Sequence, residues 1–263
     1  GKMTGAVGTQ ASFGPDAARL QRLVMKSLGL EPAPVSNQVI QRDRHAEAVF
    51  TLALLAATAE KIAREIRNLQ RTEIGEVYES FAKRQVGSST MPQKRNPWNS
   101  EHVKSLWKAF APRVMTFFMD QISEHQRDLS NSASQRFVAD YVMGFGQAVT
   151  RMTKVIEGLG VRKDRLMLNL SGGSEAGVRG GVLAEPAYIL LAESGVSDAH
   201  EVIRKITLEA ETENIPFAQA LARHRDTLSR IGVKMAELAL VPSPEEALSF
   251  FEHPERYNGL AET

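Results

Sequence analysis

The stretch NQVIQRDRHAEAVFTLALLAATAEKIAREIRNL, from Asn37 to Leu69, decides the fold class. Within it Ala46, Val49, Phe50, Ala53, Ala56, Ala57, Ala59, Ile62, Ala63, Ile66 and Leu69 recur at steps of three and four, which draws one apolar stripe along a helix. The alanines of that stripe let neighbouring helices approach closely, as inside a bundle. Ser36 or Asn37 is suited to cap its start, after the breaker run Glu31-Pro32-Ala33-Pro34. Downstream, a second long helix is predicted from Pro97, with Asn96 as its N-cap and proline at the favoured first position. Its stripe is Val103, Leu106, Trp107, Phe110, Val114, Phe117, Phe118 and Ile122, and Pro112 inside it should kink or split the helix. A third helix carries Phe137, Tyr141, Phe145, Ala148, Met152, Val155 and Ile156 on one face. No alternating pattern marks a strand. The expected fold class is all-α: an elongated bundle of long helices followed by a smaller helical C-terminal domain.

After Gly158 the texture changes. A glycine-rich run, Leu170 to Gly181, marks a hinge or loop, and beyond it shorter helices are predicted over Leu183–Ser194, Ser197–Glu213, Pro216–His224 and Thr227–Ala236. Ser197 with Asp198 makes a reasonable cap. The expected domain boundary lies near Asn169, giving residues 1–169 to the long-helix bundle and 170–263 to the small domain.

Composition narrows the function classes. With 263 residues, the chain can bury a sizeable core; 32 basic against 31 acidic residues leave no field that points to nucleic acid or an anionic membrane. The absence of cysteine removes disulfides, thiolate metal sites and thiol nucleophiles, and is compatible with a cytoplasmic address. No apolar run reaches the length of a membrane span. The histidines (His45, His102, His125, His200, His224 and His253) show no metal-ligand spacing, and neither a P-loop nor a dinucleotide fingerprint is present, so no metal and no cofactor is expected.

Chemistry is concentrated in Gly87-Ser88-Ser89-Thr90-Met91-Pro92-Gln93-Lys94-Arg95-Asn96-Pro97. Serine is a proton acceptor that needs activation; Lys94, Asn96 and the free N–H groups of the following helix stabilise an anion. That pairing suits removal of a proton from carbon next to a carboxylate. A polar surface loop would use many of the same residue types. Glu101, one turn on, either orients Lys94 or a nearby asparagine, or simply favours the helix N-terminus. A second polar cluster, His125 to Arg136, joins two apolar helices; Arg127 and Arg136 suit bidentate contact with carboxylate or phosphate, with Ser132 adding a hydroxyl. The alternative is that Ser130 or Asn131 caps the next helix and the arginines are solvated. In a third cluster, Ser36 to Glu47, Gln38, Arg42 and His45 share a helical face, functional or merely salt-bridged.

The order of residues in the Gly87–Pro97 segment, with Glu101 shortly after, resembles the signature of the fumarase/aspartase superfamily. Lys94-Arg95-Asn96-Pro97, the Arg127-Asp128-Leu129-Ser130-Asn131-Ser132 run, the Gln41–Glu47 run and Gly5-Ala6-Val7-Gly8-Thr9 are most similar to its adenylosuccinate lyase family. The resemblance implies a homotetramer on a central helical bundle, residues 1–169 being the C-terminal part of that domain, with active sites built from three subunits. It implies an anionic succinyl-purine nucleotide as substrate, cleaved to AMP and fumarate, with no nucleic-acid or membrane partner. Ser88 would be the general base, Lys94 and Asn96 would hold carboxylates and the developing charge, and Glu101 would support the catalytic histidine region. Gln38, Ser89 and Met91 would contact substrate, and Arg127, Ser132 and Arg136 its phosphate or nearby groups. Gln93 departs from the histidine or tyrosine frequent in the family and also occurs in argininosuccinate lyases. Those lyases or carboxymuconate cycloisomerases are one alternative, against which the Arg127–Arg136 cluster argues because it suits a phosphorylated substrate; a non-catalytic helical scaffold is another, disfavoured by the joint retention of Ser88, Lys94 and Asn96. The family's general-acid histidine belongs to a segment upstream of anything that matches residue 1, so these 263 residues alone are expected to be inactive.

Overall fold

The computed structural model describes residues 1–80, 91, 94–126, 128–172 and 178–261. Among the described residues helix makes up 63% and strand 2%, so the fold is all-α, as the long stripes require. The chain divides into two compact units: Gly1–Gln70 with Tyr78–Gly160, and Arg71–Val77 with Val161–Thr263. Two short strands, β1 (Val77–Tyr78) and β2 (Gly160–Val161), form one two-stranded sheet. No helix among the described residues is long and apolar enough to cross a membrane.

The first unit contains α1 (Ala17–Ser27), α2 (Asp43–Leu69), α3 (Trp98–Phe110), α4 (Val114–Met119) and α5 (Val138–Glu157). Helices α2, α3 and α5 pack on one another. Their directions follow from contacts at the two ends. Phe50, early in α2, meets Phe118 of α4 edge to face at 6.3 Å, whereas Gln70, just past the end of α2, reaches the carbonyl of Arg95 ahead of α3. The α3–α4 run is therefore antiparallel to α2. Tyr141, early in α5, donates to the carbonyl of Val49, and Arg151, late in α5, donates to Asn99; α5 returns parallel to α2. Val49, Ala53, Val114, Phe117 and Tyr141 form the buried cluster between them, flanked by Leu52, Trp107 and Phe110.

Local chemistry shifts several expected boundaries. Helix α2 begins at Asp43, not Asn37, because the residues expected to cap it are engaged elsewhere. The Ser36 hydroxyl is buried against Thr4 Oγ1 at 2.7 Å, and the Asn37 amide donates to the carbonyl of His125. Pro112 does split its helix: α3 stops at Phe110, a 3-10 turn spans Ala111–Arg113, and α4 starts at Val114. The α2 stripe is narrower than its periodicity suggests. Ala46, Val49, Ala53, Ala59, Ala63 and Ile66 are buried, but Phe50 and Ile62 are exposed along with Leu54 and Leu55. Helix α1, where Ala17, Gln21 and Met25 are buried at four-residue spacing, is an element the long-stripe reading did not anticipate.

The second unit carries α6 (Lys163–Leu170), α7 (Ala184–Glu193), α8 (Ala199–Thr212), α9 (Phe217–Arg223), α10 (Arg225–Glu237) and α11 (Ala247–Phe251). Its core is dense: Leu183, Leu191, Ile206, Phe217, Leu221, Ile231, Met235 and Phe251 are almost wholly excluded from solvent. Asp198 takes the N-cap position of α8 without a side-chain cap bond. The turn-rich 71–77 segment is held by α6 and the residue before it. Arg165 donates to the carbonyls of Glu73 and Ile74, Arg162 to that of Gly75, and Asn169 to that of Ile74. Those bonds satisfy backbone acceptors that have no helix partner. Gly232 on α10 is required by packing, since a Cβ there would stand 2.5 Å from the carbonyl oxygen of Pro244.

Candidate active site

At the end of the first unit where α2 stops and α3 starts, Lys94, Arg95 and Asn96 lead directly into the first turn of α3. Lys94 is exposed and Asn96 half-buried, and the Lys94 N–H closes a turn onto the carbonyl of Met91, itself exposed. Ser88 and Ser89 lie outside the described residues. Asn96 is not the cap of α3. That position falls on Pro97, which has no side-chain acceptor, and the duty passes to Glu79. Glu79 Oε1 accepts from the Ser100 N–H (2.8 Å) and hydroxyl (2.6 Å), and Oε2 from the Asn99 N–H (3.1 Å) and side-chain amide (3.2 Å). Two of the free N–H groups at the helix start are thus satisfied by a carboxylate, where negative charge is favoured. Glu101 sits in the same first turn but is exposed; its N–H donates to the Pro97 carbonyl, and its side chain makes no hydrogen bond or ion pair among the described residues.

Sequence reasoning missed Glu79. Nothing separates it from its neighbours Glu73 and Glu76 in the string, and its partners lie some twenty residues on. Arg151 was missed for the same reason; it donates to Asn99 Oδ1 at 3.1 Å while its guanidinium lies 5.0 Å above the centre of the Trp98 ring.

The opposite end of the first unit gathers the other sequence clusters. Gly8, at φ 82°, lies so close to the chain at Ser36 that a Cβ would stand 2.0 Å from the Ser36 carbonyl oxygen, and this brings the Gly5–Thr9 run against Ser36 and Asn37. Gln38 follows in an exposed bend, and Asn37 bonds the 123–136 connection through His125. There the Arg136 guanidinium donates to the carbonyl of Ser132 at 2.8 Å, so the two side chains expected to bind phosphate stand within one turn, both exposed. Arg127 lies outside the described residues. Ser130 and Asn131 are not helix caps. Asn131 is buried and donates to the carbonyl of Asp120 at 2.7 Å, and Ser134 donates to the Asp120 carboxylate at 2.6 Å. The Asp128 carboxyl is held below its ordinary value, chiefly by the Ser130 hydroxyl and then by the N–H groups of Glu124 and Ser130. Burial, with Arg42 beside it, lowers the pKa of His45, against the opposing pull of Asp120 and Asp43.

A cavity of about 590 Å³ opens beside this network, lined by Arg113, Phe117, Asp120, Asn131, Ser134 and Phe137 among others. None of the described residues expected to touch substrate lines it. Among the described residues no group of His, Asp or Glu is arranged to hold a metal ion.

The two clusters are far apart. Helix α2 has 27 residues, and at 1.5 Å per residue it spans about 40 Å. Lys94 and Asn96 flank one end of it; Gln38, Ser132 and Arg136 flank the other. The structure does not bring them together within one chain.

Residues 1–111 match a lyase family model, and residues 123–239 match the model of the adenylosuccinate lyase C-terminal region. An adenylosuccinate lyase of Pyrococcus horikoshii is 42% identical over 230 residues, covering 86% of this chain and 50% of that protein. One from Methanocaldococcus jannaschii is 37% identical over 264 residues, covering 98% and 53%. The chain thus spans about half the length of the curated relatives it matches. Among solved structures, a fumarate lyase from Mesorhizobium sp. BNC1 shares the fold with a TM-score of 0.76 at 23% identity, over 97% of this chain and 53% of that one.

Proposed function

The chain belongs to the adenylosuccinate lyase family, and from that premise we propose that it supplies part of an enzyme eliminating fumarate from adenylosuccinate to leave AMP. The same chemistry would release fumarate from succinyl-aminoimidazole-carboxamide ribotide in purine biosynthesis. In this reading Ser88 takes a proton from the succinyl carbon next to the carboxylate, electrons move into that carboxylate as an aci form, and the C–N bond then breaks. The leaving nitrogen is protonated by a group outside these 263 residues, so the chain alone is expected to turn over nothing.

The supporting observation is the placement of Lys94 and Asn96 immediately before the capped N-terminus of α3. A cation and an amide donor close together at one place suit a substrate that is doubly anionic and grows more so in the transition state. Gln38, Ser89 and Met91 would contact substrate, Glu101 would support the catalytic histidine region, and Arg127, Ser132 and Arg136 would hold the phosphate or nearby groups.

Because the phosphate cluster stands about 40 Å from Lys94 along α2, one substrate would be gripped by different copies of the chain. The exposed apolar side chains favour that assembly. Leu54 and Leu55 on α2, Met115, Phe118 and Met119 on α4, and Val142 and Met143 on α5 face solvent in the single chain. Full burial from full exposure is worth about 1.5–3 kcal/mol for such a side chain, and each of these, 49–69% exposed, would gain about half of that. A homotetramer with shared sites accommodates both facts.

The test is fumarate release by the intact native enzyme from adenylosuccinate and from argininosuccinate, with lactone formation from carboxymuconate, measured side by side. Turnover confined to the succinyl nucleotide is expected; turnover of argininosuccinate in its place would overturn the substrate assignment.

A further inference from the structure

The Glu79 carboxylate is only 4% exposed, and among the described residues no lysine or arginine pairs with it. A buried carboxylate is costly unless donors satisfy it. Here four do, two on each oxygen, all from Asn99 and Ser100. A serine or aspartate at position 97 could have capped α3 locally. The sequence instead places proline there and recruits the cap from residue 79, on the far side of the signature segment.

The consequence is mechanical. Residue 79 flanks the segment on one side and α3 on the other, so the cap ties the two flanks together. Gln70 makes a second tie: its Oε1 accepts from the Glu79 N–H at 2.9 Å, and its Nε2 donates to the Arg95 carbonyl at 3.1 Å. One amide at the end of α2 therefore bridges both flanks, and it grips the backbone between Lys94 and Asn96.

We infer that Glu79 and Gln70 are positioning residues that hold Lys94 and Asn96 in register for catalysis, an inference that rests on the function proposed above. Neither side chain touches substrate in this reading. Their effect is geometric, and misplacing a charge-stabilising group by about 1 Å costs roughly a hundredfold in rate. The transition state, which carries the extra charge, is more sensitive to that displacement than the bound ground state.

The test uses the intact enzyme with Glu79→Gln, Glu79→Asp and Gln70→Glu. Glu79→Gln keeps the shape but turns one acceptor into a donor facing other donors. Glu79→Asp keeps the carboxylate. Gln70→Glu keeps the acceptor for the Glu79 N–H and replaces the donor to Arg95 by a charged oxygen that repels that carbonyl, at a half-exposed helix end. For each variant, kcat and KM per folded site are measured, with amide hydrogen exchange over residues 95–100.

Glu79→Gln and Gln70→Glu should lower kcat by about ten- to a hundredfold, with a smaller change in KM and faster exchange across that stretch. Glu79→Asp should recover part of the rate. Unchanged kcat per folded site, even with a lower melting temperature, would reduce both residues to scaffold and overturn the inference; so would lost turnover with unchanged exchange. If the unsubstituted enzyme released no fumarate from adenylosuccinate, the substrate reading would be at fault. The clamp would then be decided by exchange alone, supported by faster exchange in both variants and refuted by its absence.

Discussion

Lys94 is the side chain on which the proposed chemistry leans hardest, since its charge acts on a substrate carboxylate and on the charge that develops there. Lys94→Ala is therefore expected to raise KM and lower kcat together, with kcat alone falling about 10²–10³-fold, the loss seen when a charge-stabilising group is removed. Steady-state fumarate release measures it; a variant that kept normal kcat would place Lys94 outside the site. Arg136→Ala and Arg127→Ala should act on binding. KM for the phosphorylated substrate should rise, while the dephosphorylated analogue, already deprived of that contact, should be indifferent. An equal loss on both substrates would give the arginines a different task. At this scale the sequence was legible where the chemistry is local. Lys94, Asn96 and Pro97 are adjacent, and their order carries meaning without a structure. Glu79, Gln70 and Arg151 act through partners that the chain brings near only after folding, and no spacing rule marks them.

Among the elements, the long helices announced themselves through their stripes and the break after α3 through proline, whereas the short α1 and α6 did not. Pro112 ends α3 as its missing N–H dictates. The start of α2 was less legible, because Ser36 and Asn37 are good caps that spend their hydrogen bonds on Thr4 and His125. Periodicity also cannot separate an apolar face that is buried in one chain from a face reserved for another; Phe50 and Ile62 fit the stripe and are exposed. In the second unit, Gly232 offers a test of packing against propensity. Alanine would gain about 1 kcal/mol of helix propensity in α10. Its methyl would meet the Pro244 carbonyl, a backbone atom that cannot swing aside, and overpacking of that kind costs about 1–3 kcal/mol. Gly232→Ala should therefore lower stability in urea unfolding. A rise in stability would show that the Pro244–Glu246 turn yields freely.

For the whole molecule, the governing dimension is the length of α2. Both ends of the first unit carry polar clusters that the resemblance assigns to a single site, and about 40 Å of helix keeps them apart. Fold class and chemical theme could be read from the string; that separation could not, because it depends on which end of which helix each loop joins. The apolar side chains left on α2, α4 and α5 supply the surface on which copies would meet. The intact enzyme should accordingly run as an oligomer in light scattering. The most direct measurement is complementation. A Lys94→Ala enzyme and an Arg136→Ala enzyme, each impaired alone, are mixed, dissociated and reassembled. If each site takes Lys94 from one copy and Arg136 from another, some sites in the mixed oligomer carry both native residues and turnover recovers well above that of either parent. If a single chain supplies both, every site keeps one defect, turnover stays at the parental level, and the shared-site account is contradicted.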